Sequence, residues 1–167
     1  MNEVKLIMGK MILIDSEKCV GCRNCTLACS FANEQLFSLS KARITTYWLY
    51  RAGRHLTMMC QHCASPPCMD VCPMEAISRN EDTGAIVIDP DQCIGCKMCM
   101  VVCPVGGVTW DADSRRMIKC DLCNGEPECV KHCLYGALTW VDAGEAAVNI
   151  RQMGARHIAE AMYNYIE

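Results

Sequence analysis

DPDQCIGCKMCMVVCP (89–104) is the stretch on which the reading of this chain turns. It spaces Cys93, Cys96, Cys99 and Cys103 as C-x2-C-x2-C-x3-C, and Pro104 closes the run. A cubane iron-sulfur core needs a thiolate at each of four iron corners, and one tight loop carrying three cysteines can serve three of them. The fourth cysteine, about one helical turn on, is carried toward a neighbouring site. Gly95, inside the loop, can take a positive φ and turn backbone N–H groups toward the sulfurs without adding a titrating group.

The same pattern recurs along the chain. ILIDSEKCVGCRNCTLAC (12–29) aligns without a gap on IVIDPDQCIGCKMCMVVC (86–103), with Gly21 matching Gly95. A second unit, MCQHCASPPCMDVCPMEAI (59–77), lines up with KCDLCNGEPECVKHCLYGAL (119–138) once a single extra residue is allowed before Cys129. The order is A, B, A′, B′, and it places all 16 cysteines in quartets with none left over.

With 167 residues the chain has the length of one domain, but 6% aromatics and two Phe leave little for a conventional core. A disulfide scaffold is one way to hold such a chain. Against it, no uninterrupted apolar export segment or twin arginine precedes Cys19, and no run reaches a membrane-spanning length. The expectation is a soluble protein of the reducing cytoplasm, where clustered cysteines serve as metal or redox sites. Zinc competes for the B units, whose CQHC and CDLC also suit a zinc ribbon, and a zinc-stabilised interaction module is the alternative of another class. Three cysteines within seven residues in the A units do not suit tetrahedral zinc.

The formal net charge is −3, and four loaded clusters would take it to roughly −11. Lys18, Arg23, Lys97, Lys119 and Lys131, each beside a cysteine loop, are the candidate counter-charges. No basic nucleic-acid footprint, nucleophile with a base, phosphate loop or dinucleotide turn is present. His62 and His132 read as donors behind the ligands or as surface residues, His55 and His157 carry no role, and Trp110 and Trp140 read as covers over cluster faces.

Short strands are predicted at 11–15, 76–79, 85–89, 108–111 and 137–141, with helical turns after the cysteine loops stopped by Pro73 and Pro104. The insert 30–59 contains a strand at 43–50 that forms a hairpin with 55–59. The tail 142–167 reads as a helix with Ala147, Ile150, Gly154, Ile158, Met162 and Tyr165 on one face, packing on its own domain or docking on a partner. The predicted fold is α+β: a duplicated bacterial-ferredoxin-like domain over 1–141, with short strands and helices around four iron-sulfur clusters, plus the C-terminal helix.

From Ile12 to Val141 this motif set resembles the four-cluster iron-sulfur subunits of the dimethyl sulfoxide reductase type. It is most similar to the small electron-transfer subunits of tungsten aldehyde oxidoreductases and benzoyl-CoA reductases. The resemblance implies four [4Fe-4S] clusters, no catalysis by this chain, and quartets nested first with fourth and second with third. Carried over, the ligand sets are Cys19, Cys22, Cys25 with Cys133; Cys120, Cys123, Cys129 with Cys29; Cys60, Cys63, Cys68 with Cys103; and Cys93, Cys96, Cys99 with Cys72. It further implies a tungsten or molybdenum catalytic subunit on one side and a flavin or ferredoxin partner on the other. Hydrogenase and formate dehydrogenase complexes are alternative settings. With clusters at both ends, self-association into an extended wire is a further expectation. Leu134 departs from the pattern, standing where relatives often have proline.

Overall fold

The computed structural model describes residues 9–164, with the side chains at 143, 147 and 156–164 left aside. In chain order the elements are β1 (Lys10–Ile14), α1 (Asn24–Glu34), β2 (Ile44–Leu49), β3 (Arg54–Met59), α2 (Pro67–Asp70), β4 (Ile77–Arg79), β5 (Ile86–Ile88), α3 (Met98–Val101), β6 (Val108–Asp111), β7 (Arg116–Lys119), a 3-10 turn at Leu122–Gly125, α4 (Glu128–Lys131), β8 (Leu138–Asp142) and α5 (Ala143–Asn164). Strands are short because each apolar alternation lasts only a few residues before a cysteine loop or turn interrupts it.

The strands form four antiparallel pairs, and the pairing is nested. The strand leaving the last cysteine unit returns to the one entering the first, so that β8 lies on β1 with Trp140 opposite Ile12. Likewise β4, leaving the second unit, pairs with β5, entering the third, with Ile77 opposite Ile88. The hairpins β2–β3 and β6–β7 stand between these pairs.

A two-stranded sheet is marginal alone in water. Here the pairs share two cores, each built partly from cysteines. One joins Ile12, Ile44, Met59, Leu122 and Leu138 to Cys29, Cys60, Cys120 and Cys129; the other joins Ile77, Ile86, Val108 and Met117 to Cys68 and Cys99. Fully burying a side chain such as Ile44 or Ile86 contributes about 1.5–3 kcal/mol. The insert is tied down by Lys41, whose ammonium lies 2.6 Å from Asp111 and 2.7 Å from Asp113.

Three features differ from the sequence reading. First, α1 continues past Cys29 to Glu34 before the left-handed Gln35 caps it, its N–H donating to the Phe31 carbonyl, so the insert begins as helix. Second, β7 is an additional strand: RMIK places two charged residues at its ends, which masks its buried Met117 and Lys119. Third, α5 presents another face to the body. Ala146 is buried where the helix lies against β1 and β8, while Ile150 and Gly154 of the expected stripe are exposed. The small Ala146 permits close approach of the helix to the strands. The Ala147, Ile158 and Met162 side chains and Tyr165 lie outside the described residues. Among the described residues, no helix is long and apolar enough to cross a membrane.

Candidate iron-sulfur centres

Each cysteine quartet starts from a loop of the form C-x-x-C in which the residue before the second cysteine is left-handed. In the A units it is Gly21 (φ 70°) and Gly95 (φ 68°); in the B units it is His62 (φ 47°) and Leu122 (φ 60°). In the B loops that turn aims a backbone N–H at sulfur. His62 N–H donates to Cys60 Sγ at 3.4 Å and Leu122 N–H to Cys120 Sγ at 3.4 Å. The fourth cysteines of the A units accept in the same way: Arg43 N–H donates to Cys29 Sγ at 3.3 Å, and Gly107 N–H to Cys103 Sγ at 3.2 Å. Such donors stabilise anionic sulfur without carrying a proton that can be lost.

Gly21 and Gly95 have a second reason to lack a side chain. A Cβ on Gly21 would lie 2.2 Å from the His55 ring, and one on Gly95 would lie 2.4 Å from the Arg115 carbonyl oxygen and 3.0 Å from the Trp110 ring. His55, which the sequence left without a role, thus packs over the first cysteine loop and against Trp48. Trp110 and Trp140 are half-buried against the two cores.

Three small apolar cavities gather cysteines that are distant in sequence. One is lined by Cys19, Cys22, Cys25 and Cys133, a second by Cys93, Cys96, Cys99 and Cys72, and a third by Cys60, Cys63, Cys68 and Cys103. Cys29, Cys120, Cys123 and Cys129 form a fourth group, recognisable from how they act on each other. Burial pushes the Cys129 thiol up, and the neighbouring Cys120, Cys29, Cys123 and Cys25 push it further. Burial takes Cys120 to about 12, with Cys29 and Cys60 adding to the rise. Cys99 is pushed up to about 11 by burial and by Cys93, Cys68 and Cys96. Buried thiolates this close repel one another, so the donor set is suited to a cationic iron core and poorly suited to standing empty and ionised. All sixteen cysteines are free, which removes the disulfide reading. Among the described residues, no three His, Cys, Asp or Glu side chains converge on a point that would hold a single metal ion.

The packing gives the groups an order. Cys25 and Cys133 of the first group pack against the core that holds Cys29, Cys120 and Cys129 of the fourth together with Cys60 of the third, and Cys68 and Cys103 of the third share the other core with Cys72, Cys93 and Cys99 of the second. The line therefore runs from the Cys19 group through the Cys120 and Cys60 groups to the Cys93 group. Its ends carry the two exposed cysteines, Cys22 and Cys96.

The last turn, where Leu134 replaces proline, has the geometry of its counterparts. Gly136 N–H donates to the Cys133 carbonyl at 3.2 Å, as Glu75 N–H does to Cys72 and Gly106 N–H to Cys103. The third residue after each of these cysteines, Glu75, Gly106 or Gly136, is left-handed. Of the histidines, His62 is half-buried, and its Nδ1 accepts from Ile86 N–H at 2.9 Å. Burial and then the Lys119 and Arg79 charges hold it neutral, with a pKa lowered to about 3. His132 is exposed beside Glu128, and the His157 side chain lies outside the described residues.

Residues 52–143, more than half of the chain, match the model of a 4Fe-4S dicluster domain. The chain belongs to that family. Residues 10–31 match a 4Fe-4S binding domain. With sixteen cysteines in four quartets, the cofactors are four [4Fe-4S] clusters rather than zinc. Among curated 4Fe-4S relatives, the polyferredoxin-like subunit of aliphatic sulfonate oxidoreductase from Pyrococcus furiosus is 37% identical over 73% of this chain and 70% of its own length. The B subunit of the anaerobic dimethyl sulfoxide reductase of Escherichia coli K12 is 36% identical over 75% of this chain and 69% of its own. A polypeptide in the solved active-site complex of benzoyl-coenzyme A reductase aligns over 95% of this chain and 96% of its own, at 24% identity and a TM-score of 0.47.

Proposed function

We propose that this chain is a non-catalytic electron-transfer subunit, relaying electrons between a tungsten or molybdenum catalytic subunit, of the aldehyde oxidoreductase type, and a flavin or ferredoxin partner in the cytoplasm. The observation that carries the reading is the succession of four cysteine groups through the two cores, more buried in the middle and exposed at Cys22 and Cys96. Bound clusters supply one-electron carriers. The chain holds them in sequence, buries the inner two more deeply than the outer two, and offers sulfur-directed N–H donors that favour the negatively charged state.

In this proposal the ligand sets are nested: Cys19, Cys22, Cys25 with Cys133; Cys120, Cys123, Cys129 with Cys29; Cys60, Cys63, Cys68 with Cys103; and Cys93, Cys96, Cys99 with Cys72. The pairings of β1 with β8 and β4 with β5 support it, because each draws together the two units whose cysteines are exchanged. The described body up to β8 is then a duplicated ferredoxin-like domain, and α5 packs on it through its first turns.

Anaerobic reconstitution tests the reading. The expected product binds about sixteen irons per chain and develops EPR signals on reduction. A colourless protein, or one holding far fewer irons, would contradict it.

A further inference from the structure

Five basic residues flank the cysteine loops, and the structure separates one from the rest. Lys18 is exposed and paired with Asp15, Lys131 with Glu126 and Glu128, Lys97 lies over the Trp110 ring, and Arg23 is exposed. Lys119 is 4% exposed. Its ammonium donates to the carbonyl oxygens of Ile86 and Cys120, and no carboxylate pairs with it among the described residues. It lines the cavity of Cys60, Cys63, Cys68 and Cys103, while its backbone leads directly into Cys120 of the adjoining group.

A buried ammonium with carbonyl partners alone is costly unless an anion faces it. Glu34, Asp111 and Asp121 line an open cavity that Lys119 also borders, but they are paired with Arg43 and Lys41, which leaves the thiolates of the Cys60 cavity as the anions at hand. The other cation near an inner group, Arg43, reaches the Cys29 site but is already neutralised by Asp121 and Glu34. Arg79 adds to the asymmetry, since its guanidinium holds the Cys63 and Ala64 carbonyls on the rim of the same cavity as Lys119.

Resting on the four-cluster reading above, we propose that Lys119 is a positioning and tuning residue that makes the Cys60/Cys63/Cys68/Cys103 site the most easily reduced of the four. Each electron entering that site adds one unit of negative charge, with no proton needed. Lys119 stabilises the added charge through a medium where a fixed cation is poorly screened. The electron reservoir of the relay therefore lies at an inner position and not at either exposed end.

The test is an EPR-monitored redox titration of the reconstituted full chain. Lys119→Met at full iron content should make one cluster about tenfold harder to reduce, a shift of 59 mV for a one-electron couple, while Lys119→Arg leaves it near the wild-type value. Four unmoved potentials in Lys119→Met at full iron would overturn the proposal. Should Lys119→Met fail to retain iron, the wild-type order decides: the signal altered by Cys103→Ser must be the first to appear on reduction, and any other order overturns the assignment. A wild-type chain that holds few irons would instead sink the four-cluster reading, and the role of Lys119 with it.

Discussion

The A and B cysteine loops make the same left-handed turn by opposite means. In the A loops, Gly21 and Gly95 adopt it without strain, and the space above them is filled by other elements: the His55 ring over one, the Arg115 carbonyl and Trp110 ring over the other. In the B loops, His62 and Leu122 accept a backbone conformation that costs roughly 1–2 kcal/mol for a residue with a Cβ. In return, each fills its own space. Leu122 is buried in the core beside Cys120, and His62 accepts the Ile86 N–H. At this position the A loops use glycine and the B loops a residue with a side chain, while the residue after the second cysteine of each A loop, Arg23 or Lys97, is left-handed as well. Strain of this kind persists where the surroundings over-determine it.

The largest effect expected from breaking this contrast is at Leu122. Leu122→Ala should cost about 2–5 kcal/mol, because a buried side chain is removed. Leu122→Gly should be no worse than Leu122→Ala, since relief of the left-handed backbone offsets the usual penalty for glycine. Denaturant-induced loss of the visible cluster absorption measures both, and a clearly weaker Gly variant would refute the strain argument. Next comes Gly95→Ala, expected to cost about 3 kcal/mol or more because the new methyl group meets a backbone carbonyl as well as left-handed geometry. Gly21→Ala should cost less, about 1–2 kcal/mol, since the obstacle there is a side-chain ring.

A smaller effect is expected at Asp111, which ties the insert to β6. Burial alone would raise its pKa, but hydrogen bonds from Lys41 and Ser114 outweigh this and lower it from 3.8 to about 2. A carboxylate depressed in the folded state stabilises above its unfolded pKa, and that contribution is lost as pH falls through about 2. Asp111→Asn should therefore cost about 1–2 kcal/mol near neutrality, and the gap to wild type in thermal unfolding should close below about pH 4. A gap that persists into acid would contradict this. The smallest effect is at the final turn: Leu134→Pro should change stability by less than about 0.5 kcal/mol, because the turns after Cys72 and Cys103 already carry proline in the same geometry.

The cysteine spacing and the repeat make the loops, most strands and the donor sets legible in the sequence, since those features are local and periodic. The partners of each quartet are not readable from the residues themselves: joining Cys133 to Cys19 depends on β8 returning to β1, a contact across nearly the whole chain. The strained turns at His62 and Leu122 leave no trace in the sequence, because neither residue signals a positive φ as glycine does. Lys119 is one of five equivalent basic residues until burial sets it apart. The extension of α1 is hidden by the repeat, which ends at Cys29 while the helix continues to Glu34. The face of α5 is misread from the sequence because a stripe spaced along the whole tail is chosen, whereas the buried contact lies at its first turn, at Ala146, with Ile150 left exposed.

The central claim is that each loop keeps three ligands for its own site and lends the fourth to another. EPR of the reduced, reconstituted Cys103→Ser variant tests it most directly. The account predicts that Cys103→Ser alters the same cluster signal as Cys60→Ser and leaves the signal altered by Cys96→Ser unchanged. If Cys103→Ser and Cys96→Ser instead alter one and the same signal, each loop binds its own cluster and the nested relay is wrong.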